Sequence, residues 1–321
     1  MHPTRALLAK NNLLICLDAF GTLFKPTQPI AATYTQAAAK HGIQTGGAEN
    51  AQQVGNNFAK AFKDESARNP NYGKRTGLGA QAWWENVIRS TFTPFLKPGQ
   101  SVPPALTTEL WQHFSTGAPY SLYPDVKDFF LELRKYKATG PTEALPWKFE
   151  KVVVGIISNS DDRAVSILEG MGLDISPRRV GKTSPTTTQN WSRNDIDFVA
   201  LSYDVGHEKP DHHIFDAATS LLDKTLAEQA EGLRANDFEK LYLGDDLEKD
   251  YFGALAAGWY PVLIDRKGVM DRARGFRFGT VGTTDKQGEE VKVSMAQSLL
   301  DLDRWEPKVP EKTTMADRKR W

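Results

Sequence analysis

Short apolar runs recur along the chain, each closed by a turn and followed by a helical pattern. Leu13-Leu14-Ile15-Cys16-Leu17, Val152-Val153-Val154-Gly155-Ile156-Ile157, Phe198-Val199-Ala200-Leu201, Leu241-Tyr242-Leu243 and Pro261-Val262-Leu263-Ile264 lack polar alternation. Such runs predict strands buried on both faces, as in a parallel sheet. Between them, Val126, Phe129, Phe130 and Leu133 follow Pro124-Asp125 at the spacing of one helical face. Residues 163–171, 211–222 and 250–257 carry further helical patterns, with Pro210 placed for a first helical turn. Strands alternating with helices predict an α/β fold with a doubly wound, mainly parallel sheet. Ligands of such sheets sit at the carboxyl ends of the strands, near a switch in strand order.

Residues 29–117 break the alternation directly after the first strand. They carry four helical patterns (30–41, 49–67, 80–95 and 104–114) and little strand signal. Joints containing Pro or Gly, 25–29 and 116–119, flank them. This predicts a helical insert folded over the sheet edge, with residues 1–28 and 118–305 forming the α/β core. Trp83-Trp84 and Phe92 are expected in the core of that helical bundle. Residues 138–146 and 177–194 are rich in Gly, Pro, Ser, Thr and Asn and read as surface insertions. Residues 306–321 are charged and poor in aliphatics, which predicts a disordered tail.

Composition narrows the function classes. Lys+Arg and Asp+Glu both number 40 in 321 residues, so no global field favours nucleic acid or an anionic membrane. No apolar stretch approaches the roughly 18 residues that span a bilayer. One cysteine, Cys16, excludes an internal disulfide framework and fits a reducing compartment. Residues 1–10 are weakly basic without a secretory apolar segment. An intracellular, cytoplasmic protein is therefore expected, with mitochondrial targeting by residues 1–10 a lesser alternative. Oligomeric state is not legible.

Candidate chemistry lies where the apolar runs end. Asp18 follows the first, in Asp18-Ala19-Phe20-Gly21-Thr22. Taken alone it is a cap or turn residue, but Gly21 permits a tight path around an anion and the Thr22 hydroxyl can brace the loop. A carboxylate so placed can attack phosphorus and form an aspartyl-phosphate. Its repulsion from phosphate requires a cation, and Mg²⁺ takes oxygen ligands including one or two carboxylates. Asp18 and Asp245 are the candidates. Asp250 is placed to bind a coordinated water or to orient a lysine, and Asp246 could replace either acid. Ser158-Asn159 after the second run offers an anion cradle at a helix start. Lys209, held near several carboxylates, would stay charged and neutralise a transferring group.

In this order the four segments resemble the haloacid dehalogenase-like hydrolase superfamily of aspartate-nucleophile enzymes. Within it, the chain is most similar to the eukaryotic haloacid dehalogenase-like hydrolase domain-containing protein 3 group. The resemblance spans about residues 13–303 and includes the helical insert and Trp83-Trp84. It implies a Rossmannoid core with an inserted helical cap and a small phosphorylated substrate, and it alone implies a nuclear location as an alternative to the cytoplasm. It also implies Asp18 as nucleophile and metal ligand, Ser158 as phosphate binder, and Lys209 as the charge-neutralising lysine. Asp245 and Asp250 correspond to the metal-binding acids. Thr22 and Asn159 join the substrate contacts, and the Phe20 carbonyl is a further Mg²⁺ ligand.

One part of the family pattern is missing. Phosphatases of this superfamily carry a second Asp two residues after the nucleophile, as acid and then base. Phe20 occupies that position here. A general acid or base contributes about 10²–10⁴ in rate, so ordinary alkyl phosphates are expected to be poor substrates. His207 and Glu208 are candidate substitutes. Three functions follow: a Mg²⁺-dependent phosphohydrolase for good leaving groups, a weakened phosphate-binding or regulatory protein, and a 2-haloacid dehalogenase. An aromatic after the nucleophile suits the last, whereas Gly244-Asp245-Asp246 suits the first.

Overall fold

The computed structural model describes residues 10–46, 50–182, 194–228, 232–266, 268 and 277–307. Its main sheet has seven strands in the order β5-β4-β1-β6-β7-β9-β8. These are β1 (Asn12–Leu17), β4 (Lys151–Ser158), β5 (Phe198–Leu201), β6 (Phe238–Gly244), β7 (Tyr260–Ile264), β8 (Phe278–Thr284) and β9 (Glu290–Ala296). All neighbouring pairs are parallel except β8 with β9. A small antiparallel ribbon joins β2 (Phe24–Pro26) to β3 (Tyr120–Leu122).

Helices on both faces explain the unbroken apolar strands. Leu13, Ile15 and Leu17 of β1 pack with Phe129, Phe130 and Leu133 from α5 (Val126–Thr139), and with Leu168 from α6 (Arg163–Gly170). Leu14 and Cys16 point the other way, against Ile214, Phe215 and Leu222 of α8 (His212–Ala227). Period-2 alternation thus exists in space, but both faces are apolar. Each such fully buried side chain contributes about 1.5–3 kcal/mol. Because β1 lies between β4 and β6, the chain leaves the sheet centre in opposite directions, which puts the strand-order switch beside Asp18.

α1 (Ile30–Lys40), α2 (Ala51–Arg68), α3 (Ala80–Phe92) and α4 (Pro104–His113) pack on one another around Tyr34, Val54, Ile88, Phe92 and Leu110. Trp83 and Phe92 are buried as expected, but Trp84 is only half-buried and donates its indole N–H to Asp161 Oδ2 at 2.7 Å. The 80–95 pattern also ends early. Pro94, which has no N–H to donate, sits in a separate 3₁₀ turn, Thr93–Phe95. Pro210 lies before the helix rather than in its first turn, because Asp211 is the N-cap and accepts from the His213 N–H at 3.0 Å. The pattern at 250–257 becomes a π-helical turn, Leu247–Phe252, running into α9 (Gly253–Ala256). A short α7 (Ser202–Val205) follows β5. Most of the insertion expected at 177–194, and all but two residues of the tail expected at 306–321, lie outside the described residues. No helix among the described residues is long and apolar enough to cross a membrane.

Candidate active site

The Asp18 N–H donates to Leu243 O at 2.8 Å, continuing the β1–β6 ladder one residue past the strand. That bond fixes Asp18 at the carboxyl edge of the sheet, beside Ser158 at the end of β4 and Gly244 at the end of β6. Two glycines make room there. Gly21 has φ +88°, and a Cβ on it would collide with the Asp245 carboxylate; a Cβ on Gly244 would collide with Asp250. The turn after Asp18 and the acids after β6 can therefore approach only as glycine-bearing loops.

Lys209 is the electrostatic centre. Its three N–H groups have four acceptors within reach: Asp18 Oδ1 at 2.8 Å, Asp250 Oδ1 at 2.7 Å, Ile157 O at 3.1 Å and the Tyr242 hydroxyl at 2.8 Å. Burial disfavours the ammonium, but Asp18 and Asp250 outweigh it and hold Lys209 above the usual lysine value. The lysine is thus a fixed cation at neutral pH. Tyr242 lies within bonding distance of both Ile157 O, at 2.9 Å, and Asp250 Oδ1, at 3.1 Å, and braces the pair from below.

Asp18, Asp245 and Asp250 each offer a carboxylate oxygen within 4.8 Å of the others. This all-oxygen set fits a hard divalent ion such as Mg²⁺, and its three like charges face one lysine. Asp245 remains open to solvent. Partial desolvation, then repulsion by Asp18 and Asp250, pushes it up to about 6; at an exposed carboxylate the like-charge repulsion is the firmer cause. Asp246 does not belong to the cluster. Its carboxylate caps the following turn, accepting from the N–H groups of Glu248 at 3.0 Å and Lys249 at 2.9 Å. Asp250 accepts from Lys209 and, through Oδ2, from the Asp246 N–H at 3.0 Å, so its contacts orient the lysine.

The remaining expected residues gather at the same edge in different roles. The Ser158 hydroxyl is buried and shares a 2.8 Å hydrogen bond with Ser160. Asn159 uses its side-chain amide on Lys209, donating to its carbonyl at 3.0 Å and accepting from its N–H at 2.7 Å. It therefore positions the lysine loop. Thr22 is fully buried with Oγ1 3.4 Å from Asp245, which places it behind that acid. His207 pairs with Asp211 at 2.9 Å and stacks on His213. Burial raises the Glu208 carboxyl above its usual range.

Two contributors escaped the sequence reading. Tyr242 is a polar tip in an otherwise apolar strand, a signal visible in hindsight. Arg266 donates to Thr22 O at 2.7 Å and to both Asp125 oxygens, at 2.7 and 2.6 Å, clamping the turn after Asp18. No local pattern marks it, because its partners lie 141 and 244 residues away.

Phe20 leaves this polar floor. Its ring is 46% exposed, meets Phe24 and Tyr120 edge-on at 5.5 and 6.4 Å, and lines a cavity of about 300 Å³. The cavity lies between α1–α4 and the end of β4, reaching Asn159, Ser160 and Arg163.

A family model for haloacid dehalogenase-like hydrolases matches residues 13–258. The chain is 32% identical over 255 residues to an uncharacterized hydrolase of Schizosaccharomyces pombe, a match covering 79% of this chain and 91% of that one. It is 27% identical over 298 residues to haloacid dehalogenase-like hydrolase domain-containing protein 3 of Homo sapiens, covering 92% and 96% respectively. Among solved structures, the L-2-haloacid dehalogenase of Xanthobacter autotrophicus with chloropropionic acid covalently bound matches at a TM-score of 0.47 and 14% identity, covering 91% and 96%. Since the family match runs unbroken from β1 past the acids that follow β6, the chain belongs to the haloacid dehalogenase-like hydrolases.

Proposed function

We propose that the chain is a Mg²⁺-dependent phosphohydrolase that works through an aspartyl-phosphate on Asp18. One observation carries this reading: three carboxylates converge within 4.8 Å while Lys209 grips Asp18 Oδ1 and Asp250 from the protein side. Held by Asp18, Asp245 and the Phe20 carbonyl, with Asp250 reaching it through water, Mg²⁺ would screen the negative charge of the phosphate. Lys209 fixes one oxygen of Asp18, leaving the second as the attacking atom. That oxygen forms a bond to phosphorus, the ester P–O bond breaks, and the leaving oxygen departs with the bonding pair. Phe20 supplies no proton at that moment, so the leaving oxygen must be stable as an anion or take its proton from water. Water then attacks the aspartyl-phosphate, releasing phosphate and restoring the Asp18 carboxylate.

In this reading residues 29–117 form a cap over residues 1–28 and 118–305, and the substrate is a small phosphorylated molecule. The buried thiol of Cys16 fits a reducing compartment, cytoplasm or nucleus. The test is intact-protein mass spectrometry after mixing with acetyl phosphate and Mg²⁺. Wild type gains one phosphoryl group that Asp18→Asn does not; equal labelling of the two proteins overturns the reading. The ring of Phe20 favours one further reading, a protein that binds phosphate without turning it over. Its signature is Mg²⁺-dependent phosphate binding with no label on Asp18.

A further inference from the structure

The cavity beside Phe20 begins where the phosphate site ends. Asn159 and Ser160 line it and directly follow Ser158, the last residue of β4. Its walls are mostly rings, including Phe58, Phe62, Trp84, Trp111 and Phe114. Among the described residues, the one cationic side chain in the lining is Arg163, stacked over Trp84 at 4.7 Å and Trp111 at 4.2 Å. Asp161 already neutralises it, accepting from Nε at 2.9 Å and Nη2 at 2.8 Å. No lysine among the described residues joins the lining. A second phosphate or a carboxylate would therefore enter without a fresh counter-charge, and desolvating it there is costly. A flat, uncharged ring system meets complementary faces and edges.

The chemistry at Phe20 points to the same group. Phe20 supplies no proton, so a leaving oxygen that is stable as an anion departs most readily. A phenolic oxygen has a pKa of about 10, whereas an aliphatic alcohol resembles water at about 15.7. We infer that the substrate is an aryl phosphate whose uncharged ring system occupies this cavity while its phosphate faces Asp18. The inference rests on the phosphohydrolase reading and names its substrate class. The step balances without another reagent: Asp18 gains the P–O bond, the aryl–O–P bond breaks, and the aryl oxide leaves with the electron pair and is protonated by water. A volume of about 300 Å³ corresponds to about ten water molecules in the liquid, enough for two fused rings.

Binding and turnover test this separately. Calorimetry on the wild-type protein with Mg²⁺ compares 2-naphthylmethylphosphonate with methylphosphonate, neither of which can be hydrolysed. Naphthyl binding should be about tenfold tighter or more; equal affinities overturn the assignment of the cavity. In turnover, 2-naphthyl phosphate should exceed phenyl phosphate, whose leaving group is of similar acidity, mainly through KM. Trp111→Ala should reduce the ratio of naphthyl to acetyl phosphate turnover about tenfold, and Trp111→Phe should restore most of it. An unchanged ratio in Trp111→Ala also overturns the assignment. Tight naphthyl binding with no label on Asp18 from any phosphate rejects the phosphohydrolase reading but keeps the cavity's ligand class. Labelling by acetyl phosphate without a naphthyl preference does the reverse.

Discussion

At the sheet edge, Lys209 is 4% exposed and distributes its protons among Asp18, Asp250, Ile157 O and Tyr242. Phe20, by contrast, is 46% exposed and faces a wall of rings in which Arg163, the single cation among the described residues, is already paired. The floor is charged, cross-linked by hydrogen bonds and held by long-range clamps such as Arg266. The wall is apolar and offers surfaces rather than partners. The difference separates two tasks. A fixed lysine and fixed carboxylates define where charge can develop but say little about what carries the phosphate. The wall says nothing about bond breaking, yet it discriminates ligands by shape and polarity. Phe20 sits at the seam, an aromatic wall residue two positions after Asp18 whose side chain can neither donate nor accept a proton.

Moving that seam should have the largest effect. Phe20→Asp extends the floor into the wall and puts a proton donor two residues after Asp18. Turnover of an alkyl phosphate should rise by about 10²–10⁴, while aryl phosphates, which need the proton less, gain far less. Steady-state kinetics on matched alkyl and aryl esters measures this. Equal gains on both would mean that leaving-group protonation is not what Phe20 removes. Next comes the floor itself. Lys209→Met leaves Asp18 and Asp250 buried without their cation, and metal-free stability should fall by about 3–5 kcal/mol in urea unfolding. A loss under about 1 kcal/mol would place the lysine in a solvated, weakly coupled setting.

The same contrast governs what the sequence disclosed. The sheet was legible because β1, β4, β5, β6 and β7 are buried on both faces and read as unbroken apolar runs. β9 reads Glu-Val-Lys-Val-Ser-Met-Ala, an alternation carried by only three large apolar residues, and the ribbon of β2 and β3 is too short to carry a pattern. At the floor, Asp18 and Asp245 stand where a strand run points to them, and Lys209 stands just before the N-cap of α8. Arg266 and Tyr242 work through contacts that no spacing encodes. Asp246 and Asp250 differ only in which way the turn carries each carboxylate, and that depends on a π-helical turn where an α-helical pattern was expected. Trp84 looked like Trp83 in sequence; one more residue of helical rotation puts it on the cavity side.

Asp245 tests whether the floor is built around a cation. Three carboxylates within 4.8 Å repel when no ion is present. Asp245→Asn should stabilise the chelator-treated protein by about 1 kcal/mol, a modest figure because its exposed carboxylate is screened by solvent. It should also remove any rise in melting temperature on adding Mg²⁺. Scanning fluorimetry with and without chelator reads both effects. A mutant that still responds to Mg²⁺ like wild type would move the ion elsewhere.

The smallest expected effect on the Mg²⁺ response distinguishes two adjacent acids. Asp246 accepts from two backbone N–H groups at the start of the turn, whereas Asp245 faces Asp18. Asp246→Ala should cost about 0.5–2 kcal/mol, the loss of an N-cap, and leave the Mg²⁺-dependent rise in melting temperature intact. If that rise disappears instead, Asp246 holds the ion and the floor extends one residue further than the contacts indicate. Because the Asp246 N–H also donates to Asp250 Oδ2, a backbone bond independent of the side chain, Lys209 should keep its orientation in this variant. A stability loss with the Mg²⁺ response preserved would therefore assign Asp246 to the backbone and Asp245 to the chemistry.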